Sequence, residues 1–223
     1  MASMLPTLTD RREGGEVLPV LIWLPAVPLL SISSAVLGGG VGVRNWVVNA
    51  TVPASYHRPD PAGHLGEIAA ALGLAGPGVG LMTAVDVADR YAAEDAGAYA
   101  VATVGLGAPT WAAAPDGDLR ELRPGTVNTV LHVPVRLSEA ALVNAVTTVA
   151  EAKAQALGEI GVAATGTASD AVCVLCPADG PAEPYAGPRS TWGARIARAA
   201  YAAVVDGGRA WLSGGRTWSD SHG

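Results

Sequence analysis

The densest collection of reactive side chains in the chain lies between Ala150 and Asp170. Glu151 and Lys153 enter on a helix-like run. Thr165, Gly166, Thr167, Ala168, Ser169 and Asp170 then form a small polar turn ahead of the apolar run Ala171 to Cys176. The fragment reads as helix, tight turn, strand, with its polar atoms gathered at the turn. Burial lowers the pKa of a lysine and a neighbouring carboxylate raises it, so a lysine in an apolar stripe can act as a base or a proton donor. Hydroxyls beside a carboxylate can bind substrate or supply a nucleophile. Each group also has a plainer reading. Lys153 can snorkel to water, Glu151 can lie on a solvated face, and the turn can be an ordinary connection.

The elements that must position these groups follow from pattern. Ser138 reads as an N-cap. Apolar residues recur behind it at Leu142, Ala145, Val146, Val149, Ala156, Leu157 and Ile160, the spacing of an amphipathic helix. At roughly 100° per residue Lys153 falls in that stripe. Glu151 falls on the polar face with Asn144, Thr148 and Gln155. Strands are expected over Val17–Leu24, Leu29–Leu37, Trp46–Val52, Ala98–Leu106, Val127–Val135 and Ala171–Cys176. Helices are expected over Ala62–Leu72, from Thr83 with Asp86 in capping-box position, and over Arg189–Val205 with a stop at Gly207-Gly208. Asn49 and Asn128 lie inside strands and need partners there, as clamps or as site residues. His57 sits in the rigid loop Tyr56-His57-Arg58-Pro59-Asp60-Pro61, where a surface histidine is the plainer reading. Trp111–Leu122 is expected to be a dispensable loop. Mixed helices and strands without strict alternation predict an α/β or α+β single domain, a mixed β-sheet flanked by helices. Residues 1–16 are expected as a flexible N-terminus, 17–206 as the domain and 207–223 as a flexible C-terminal tail.

Composition narrows the function. Half of the 223 residues are apolar, which allows a large core; phenylalanine is absent, and Ala, Val and Gly dominate. The net charge of −6 comes with no basic run, which argues against nucleic acid and mildly favours a cationic ligand. Cys173 and Cys176, the two cysteines, sit three apart on a strand and so point to opposite faces, which does not suit a metal or redox pair. His57, His64, His132 and His222 lack ligand spacing, so no metal or other cofactor is expected. Val17 to Val43 carries no charge, but Pro19, Pro25, Pro28 and Gly38-Gly39-Gly40 interrupt it. It reads as buried strands rather than a stable membrane insertion. A membrane-associated protein anchored there is a third reading.

Several segments together resemble the adenosylcobinamide amidohydrolases of corrinoid salvage. They are Val48-Asn49; Tyr56 with Asp60-Pro61; Gly80-Leu81-Met82-Thr83-Ala84; Thr103-Val104-Gly105-Leu106; Pro124-Gly125-Thr126-Val127-Asn128; Glu151-Ala152-Lys153-Ala154; Gly166-Thr167-Ala168-Ser169-Asp170-Ala171; and Tyr185-Ala186-Gly187. They occur in family order between residue 17 and about residue 205. Ser169 stands where the family has Thr, and it keeps the hydroxyl. The resemblance implies hydrolysis of the amide joining the side chain of a corrinoid substrate to aminopropanol; a cytoplasmic enzyme fits the absence of a targeting signal, and a homo-oligomer is a possible partner. It carries an activity but no mechanism. On the residues alone, Lys153, Glu151, Thr167 and Asp170 are the catalytic candidates. Lys153 would act as base or proton donor, with a hydroxyl of Thr167 or Thr165 or a water held by Asp170 as its partner. Glu151 is the alternative base for water. Asn49 and Asn128 are candidate oxyanion donors; with Thr83, Thr165, Ser169 and His57 they are the substrate-binding candidates. A corrinoid-binding or escort protein without chemistry is the runner-up.

Overall fold

The computed structural model describes residues 4–115 and 125–222. In chain order the elements are β1 (Thr7–Glu13), β2 (Glu16–Trp23), β3 (Leu29–Ser33), β4 (Gly40–Arg44), β5 (Trp46–Thr51), α1 (Pro61–Ala71), β6 (Gly78–Thr83), β7 (Tyr91–Asp95), β8 (Ala98–Val104), β9 (Val127–His132), α2 (Glu139–Glu159), β10 (Ala171–Pro177), α3 (Thr191–Leu212) and α4 (Trp218–His222). The strands form two sheets where a single one was expected. One has the order β1-β2-β5-β6, the other β4-β3-β10-β9-β8-β7. Each contains one parallel pair, β5 with β6 and β9 with β10, among antiparallel neighbours.

Three apolar layers hold four layers of structure together. Val20, Val48 and Ala50 of the smaller sheet meet Leu65 and Ile68 of α1. Leu21, Val47 and Leu81 on its other face meet Val101, Val130 and Leu175 of the larger sheet. The far face of the larger sheet, with Ala100, Leu131 and Val174, packs on α2 and α3. Successive strand residues point to opposite faces, so β5 and β10 must be apolar on both. That is why they read as continuous apolar runs rather than alternations.

Local chemistry starts each long helix. Asp60 accepts from Gly63 N at 2.8 Å with Pro61 in the first turn of α1. Ser138 accepts from Ala141 N and Ser190 from Gly193 N, both at 3.1 Å.

Five readings need correction. Residues 7–13, within the segment expected to be loose, form β1, which pairs with β2 from Thr7↔Ile22 to Glu13↔Glu16. Gly14 and Gly15 make the turn at φ +59° and +89°, the hairpin geometry that Gly-Gly favours. The helix expected from Thr83 is absent. Gly78–Thr83 is a buried strand parallel to β5, and Asp86 accepts from Ala88 N in a tight turn. Thr148, placed on the polar face of α2, is buried and donates to Ala186 O at 2.8 Å. Gly207-Gly208 does not stop α3. A Cβ on Gly207 would meet Val104 Cγ2 at 2.6 Å, and one on Gly208 would meet Ile160 Cδ1 at 2.3 Å. The pair is a notch that lets the helix lie close to β8 and the end of α2. The C-terminal segment expected to be mobile carries the end of α3 and α4, with Trp218 buried. Part of the loop expected over Trp111–Leu122, and Pro124, lie outside the described residues.

The notch is testable. Gly207→Ala should destabilise the protein by about 1–2 kcal/mol, overpacking outweighing the gain in helix propensity. Gly66→Ala, in α1 with open space around the new methyl, should stabilise it by roughly 0.5–1 kcal/mol. Denaturant midpoints of the two variants against wild type decide the matter.

Candidate active site

A cavity of about 610 Å³ opens at one end of the two stacked sheets. The C-terminal end of β6 supplies Met82 and Thr83. The entries to β9 and β10 supply Thr126, Asn128, Ser169 and Asp170. Residues after β5, Val52 to Tyr56, close another side. Strand ends deliver these side chains because the parallel pair β9–β10 starts in register, Ala171 opposite Asn128.

Under the cavity wall lies a knot centred on the Asp170 carboxylate. Its Oδ1 accepts from Val127 N at 2.8 Å and from the Thr167 hydroxyl. Its Oδ2 accepts from Thr167 N at 3.0 Å and forms an ion pair with Lys153 Nζ. Thr167 Oγ1 also lies 2.9 Å from Gly125 O. Both charged side chains are largely buried, 15% exposed for Lys153 and 10% for Asp170. A Cβ on Gly166 would sit 2.4 Å from both Lys153 Nζ and Asp170 Oδ2, so only glycine lets the turn close over the pair. Thr165 anchors the other end of the turn by accepting from Ala112 N at 2.8 Å.

The structure therefore brings Lys153, Thr167 and Asp170 together, and Asp170 alone of the three lines the cavity. Lys153 Nζ is engaged by the carboxylate. Glu151 is exposed on the opposite side of α2, as its helical position requires, and does not join the group. Ser169 is at the cavity, its hydroxyl 2.8 Å from that of Thr126.

The two asparagines are linked in series between the sheets. Asn128 Nδ2 donates to Asn49 Oδ1 and to Met82 O, each at 3.0 Å, and Asn49 Nδ2 donates to Thr103 Oγ1 at 3.0 Å. This overturns the expectation that Asn128 donates to an oxyanion, because its amide protons already have acceptors. Its Oδ1 is buried without a partner among the described residues, so what Asn128 has left to offer is an acceptor. Asn49 stands behind it, outside the cavity lining. Thr83 lines the cavity and its hydroxyl accepts from Val85 N at 3.1 Å. His57 is exposed, its Nδ1 2.9 Å from Ser55 O.

Sequence reasoning missed a second polar group beside the cavity. Tyr56 lines the cavity, and its hydroxyl lies 3.1 Å from Nδ1 of His64, with the rings stacked at 5.5 Å. Nε2 of His64 lies 3.1 Å from Glu13 Oε2, and Arg11 pairs with Glu13 from β1. Burial raises the Tyr56 phenol above its ordinary pKa and lowers that of the Arg11 guanidinium. The available signal was the Gly14-Gly15 turn, which would have placed Arg11 and Glu13 on a strand.

Cys173 faces the smaller sheet and Cys176 the helices. Burial pushes the Cys173 thiol up to about 11 and also raises that of Cys176. Among the described residues no group of three or more His, Cys, Asp or Glu could hold a metal ion, and no helix is long and apolar enough to cross a membrane.

What the fold and site define is an α/β domain with a hydroxyl- and carboxylate-lined cavity at its strand ends. A family profile described as adenosylcobinamide amidohydrolase matches residues 4–215. An adenosylcobinamide amidohydrolase of Methanosarcina mazei is 32% identical over 182 residues, 77% of this chain and 86% of that protein. One of Halobacterium salinarum is 44% identical over 85 residues, 36% of each chain. The chain belongs to the adenosylcobinamide amidohydrolase family.

Two outcomes follow from this geometry. Lys153→Met leaves the Asp170 carboxylate buried without its cation and should cost about 2–4 kcal/mol in urea unfolding. Adding Asp170→Asn should recover part of that loss, a coupling of about 0.5–3 kcal/mol. At pH 8 an aromatic disulfide reagent should leave both thiols of the folded protein unmodified and titrate both in denaturant, because burial disfavours the thiolate.

Proposed function

We propose that this protein hydrolyses the amide between the corrin side chain and aminopropanol of adenosylcobinamide, giving adenosylcobyric acid and aminopropanol. One observation carries the reading beyond family membership. Four stretches far apart in sequence supply walls of one cavity: Tyr56, Gly80 to Ala84, Gly125 to Asn128, and Ala168 to Ala171. All four belong to the segments that resemble the family. The cavity has the volume of an ordinary small-molecule site. A corrinoid is larger, so its amide-bearing arm enters while the ring rests on the rim. There Val36, 59% exposed, offers an apolar surface. The setting is cytoplasmic salvage of incomplete corrinoids.

An amide is a poor electrophile, and the site must stabilise an oxyanion and deliver a proton to the leaving amine. Thr126 and Ser169 carry two hydroxyl protons, and the contact between them uses one. The other bond from Ser169, to Gly125 O, is long at 3.4 Å. The pair therefore has a hydroxyl proton to turn toward a developing oxyanion. Lys153 and Asp170 act as positioning residues, holding the turn that carries Ser169 against Gly125–Val127.

Purified protein incubated with adenosylcobinamide should yield adenosylcobyric acid by chromatography with mass detection. Substrate that binds but stays intact would favour an escort protein. Ser169→Ala should lower kcat by about 10²-fold, the scale for loss of one oxyanion donor. Ser169→Thr should retain activity, because the hydroxyl is what the reaction uses.

A further inference from the structure

The Glu13, His64 and Tyr56 chain is a separate feature of the cavity wall. It draws on three places in the sequence: the end of β1, the buried face of α1, and the loop between β5 and α1. His64 is buried, its side chain 3% exposed, with both ring nitrogens in contact with polar atoms. Glu13 reaches Nε2 with both carboxylate oxygens, at 3.0 and 3.1 Å. Arg11, its side chain only 8% exposed, pairs with the same carboxylate at Oε2 and is itself tied to Thr51 O at 2.6 Å. Glu13, Arg11 and His64 also line a second opening of about 360 Å³, whereas Tyr56 lines the main cavity.

A carboxylate against Nε2 selects the tautomer with the proton on that nitrogen, leaving Nδ1 as an acceptor for the phenol. The two contacts hold the ring in one tautomer and orientation, and the chain they form ends in Tyr56 at the cavity. We propose that Tyr56 is the acid–base residue of the reaction, with His64 as the proton store behind it and Glu13 as the positioning carboxylate. This rests on the hydrolase reading above.

Water is the second reactant. A water at the cavity loses a proton to the Tyr56 oxygen as its own oxygen bonds to the amide carbon. The phenolic proton passes at the same time to His64 Nδ1, giving an imidazolium against Glu13. When the tetrahedral intermediate collapses, Nδ1 returns its proton to Tyr56, and Tyr56 gives one to the departing nitrogen. The C–N bond breaks, leaving a carboxylic acid and a free amine, and His64 is neutral again. The phenol never carries a full negative charge, consistent with burial raising its pKa.

The alternative is a clamp that merely fastens the Tyr56 loop to α1, and kinetics separate the two. Tyr56→Phe keeps the ring stack and removes the relay. It should lower kcat with adenosylcobinamide by about 10²–10³-fold. Affinity for the corrinoid, followed by its visible absorption in equilibrium dialysis, should stay within about twofold. Glu13→Gln, nearly isosteric, should lower kcat by about 10-fold and shift the His64 ring ¹⁵N resonances away from the Nε2–H tautomer. Tyr56→Phe turning over at the wild-type rate would overturn the relay and leave the hydrolase reading standing. Wild type that does not cleave adenosylcobinamide would overturn both. If Tyr56→Phe is unfolded by circular dichroism, Glu13→Gln decides alone, and an unchanged kcat there refutes the relay.

Discussion

The Asp170 carboxylate accepts from two backbone amides and a hydroxyl and meets one ammonium, drawn from three separate segments. Burying a carboxylate is costly unless its lone pairs are met, so these segments must converge wherever Asp170 goes. The convergence sets where β10 starts against β9, and with it the register that puts Asn128 in the cavity wall. It also explains the glycine at 166, since any side chain there would displace the pair it covers. Much of the floor of the site is a consequence of satisfying one charge.

The same logic distributes labour around the cavity. Lys153 and Thr167 brace the Asp170 turn, and Ser169, Thr126 and Asn128 line the cavity. The hydrogen-bonded chain from Glu13 through His64 to Tyr56 belongs to the other wall and comes from the smaller sheet and its helix. The two walls meet because the sheets stack face to face, with Asn128 donating across to Asn49 where the strands approach. A polar contact in that otherwise apolar layer must be made with good geometry or it is destabilising. It therefore pins one sheet over the other, and the cavity's two halves with them.

Much was legible in the amino-acid order. The cap at Ser138, the apolar period of α2 and the long apolar strands are local signals, and the structure uses them as they read. Lys153, Thr167 and Asp170 stood out as candidates because they lie close along the chain, but their pairing around one carboxylate is read only from the structure. Glu151 on the far face followed from the helical repeat. The charged strand β1 did not read as a strand, because its face toward α1 carries Arg11 and Glu13 where a core strand would carry apolar residues. The glycines at 207 and 208 looked like a helix stop, because the sequence does not say which neighbour lies within a methyl's reach.

What the sequence by itself determined is therefore what depends on neighbours along the chain: the start of α2, its apolar stripe, and the polar turn that follows it. Tertiary structure decided what depends on neighbours in space. It split the strands into two sheets rather than one, made a cavity from four distant stretches, and turned Asn128 from a free donor into an occupied one. It also brought Glu13 to His64 across 51 residues of chain. Hydrogen-bond partners of that kind leave no period or spacing in the sequence, since the contact is set by how the layers stack.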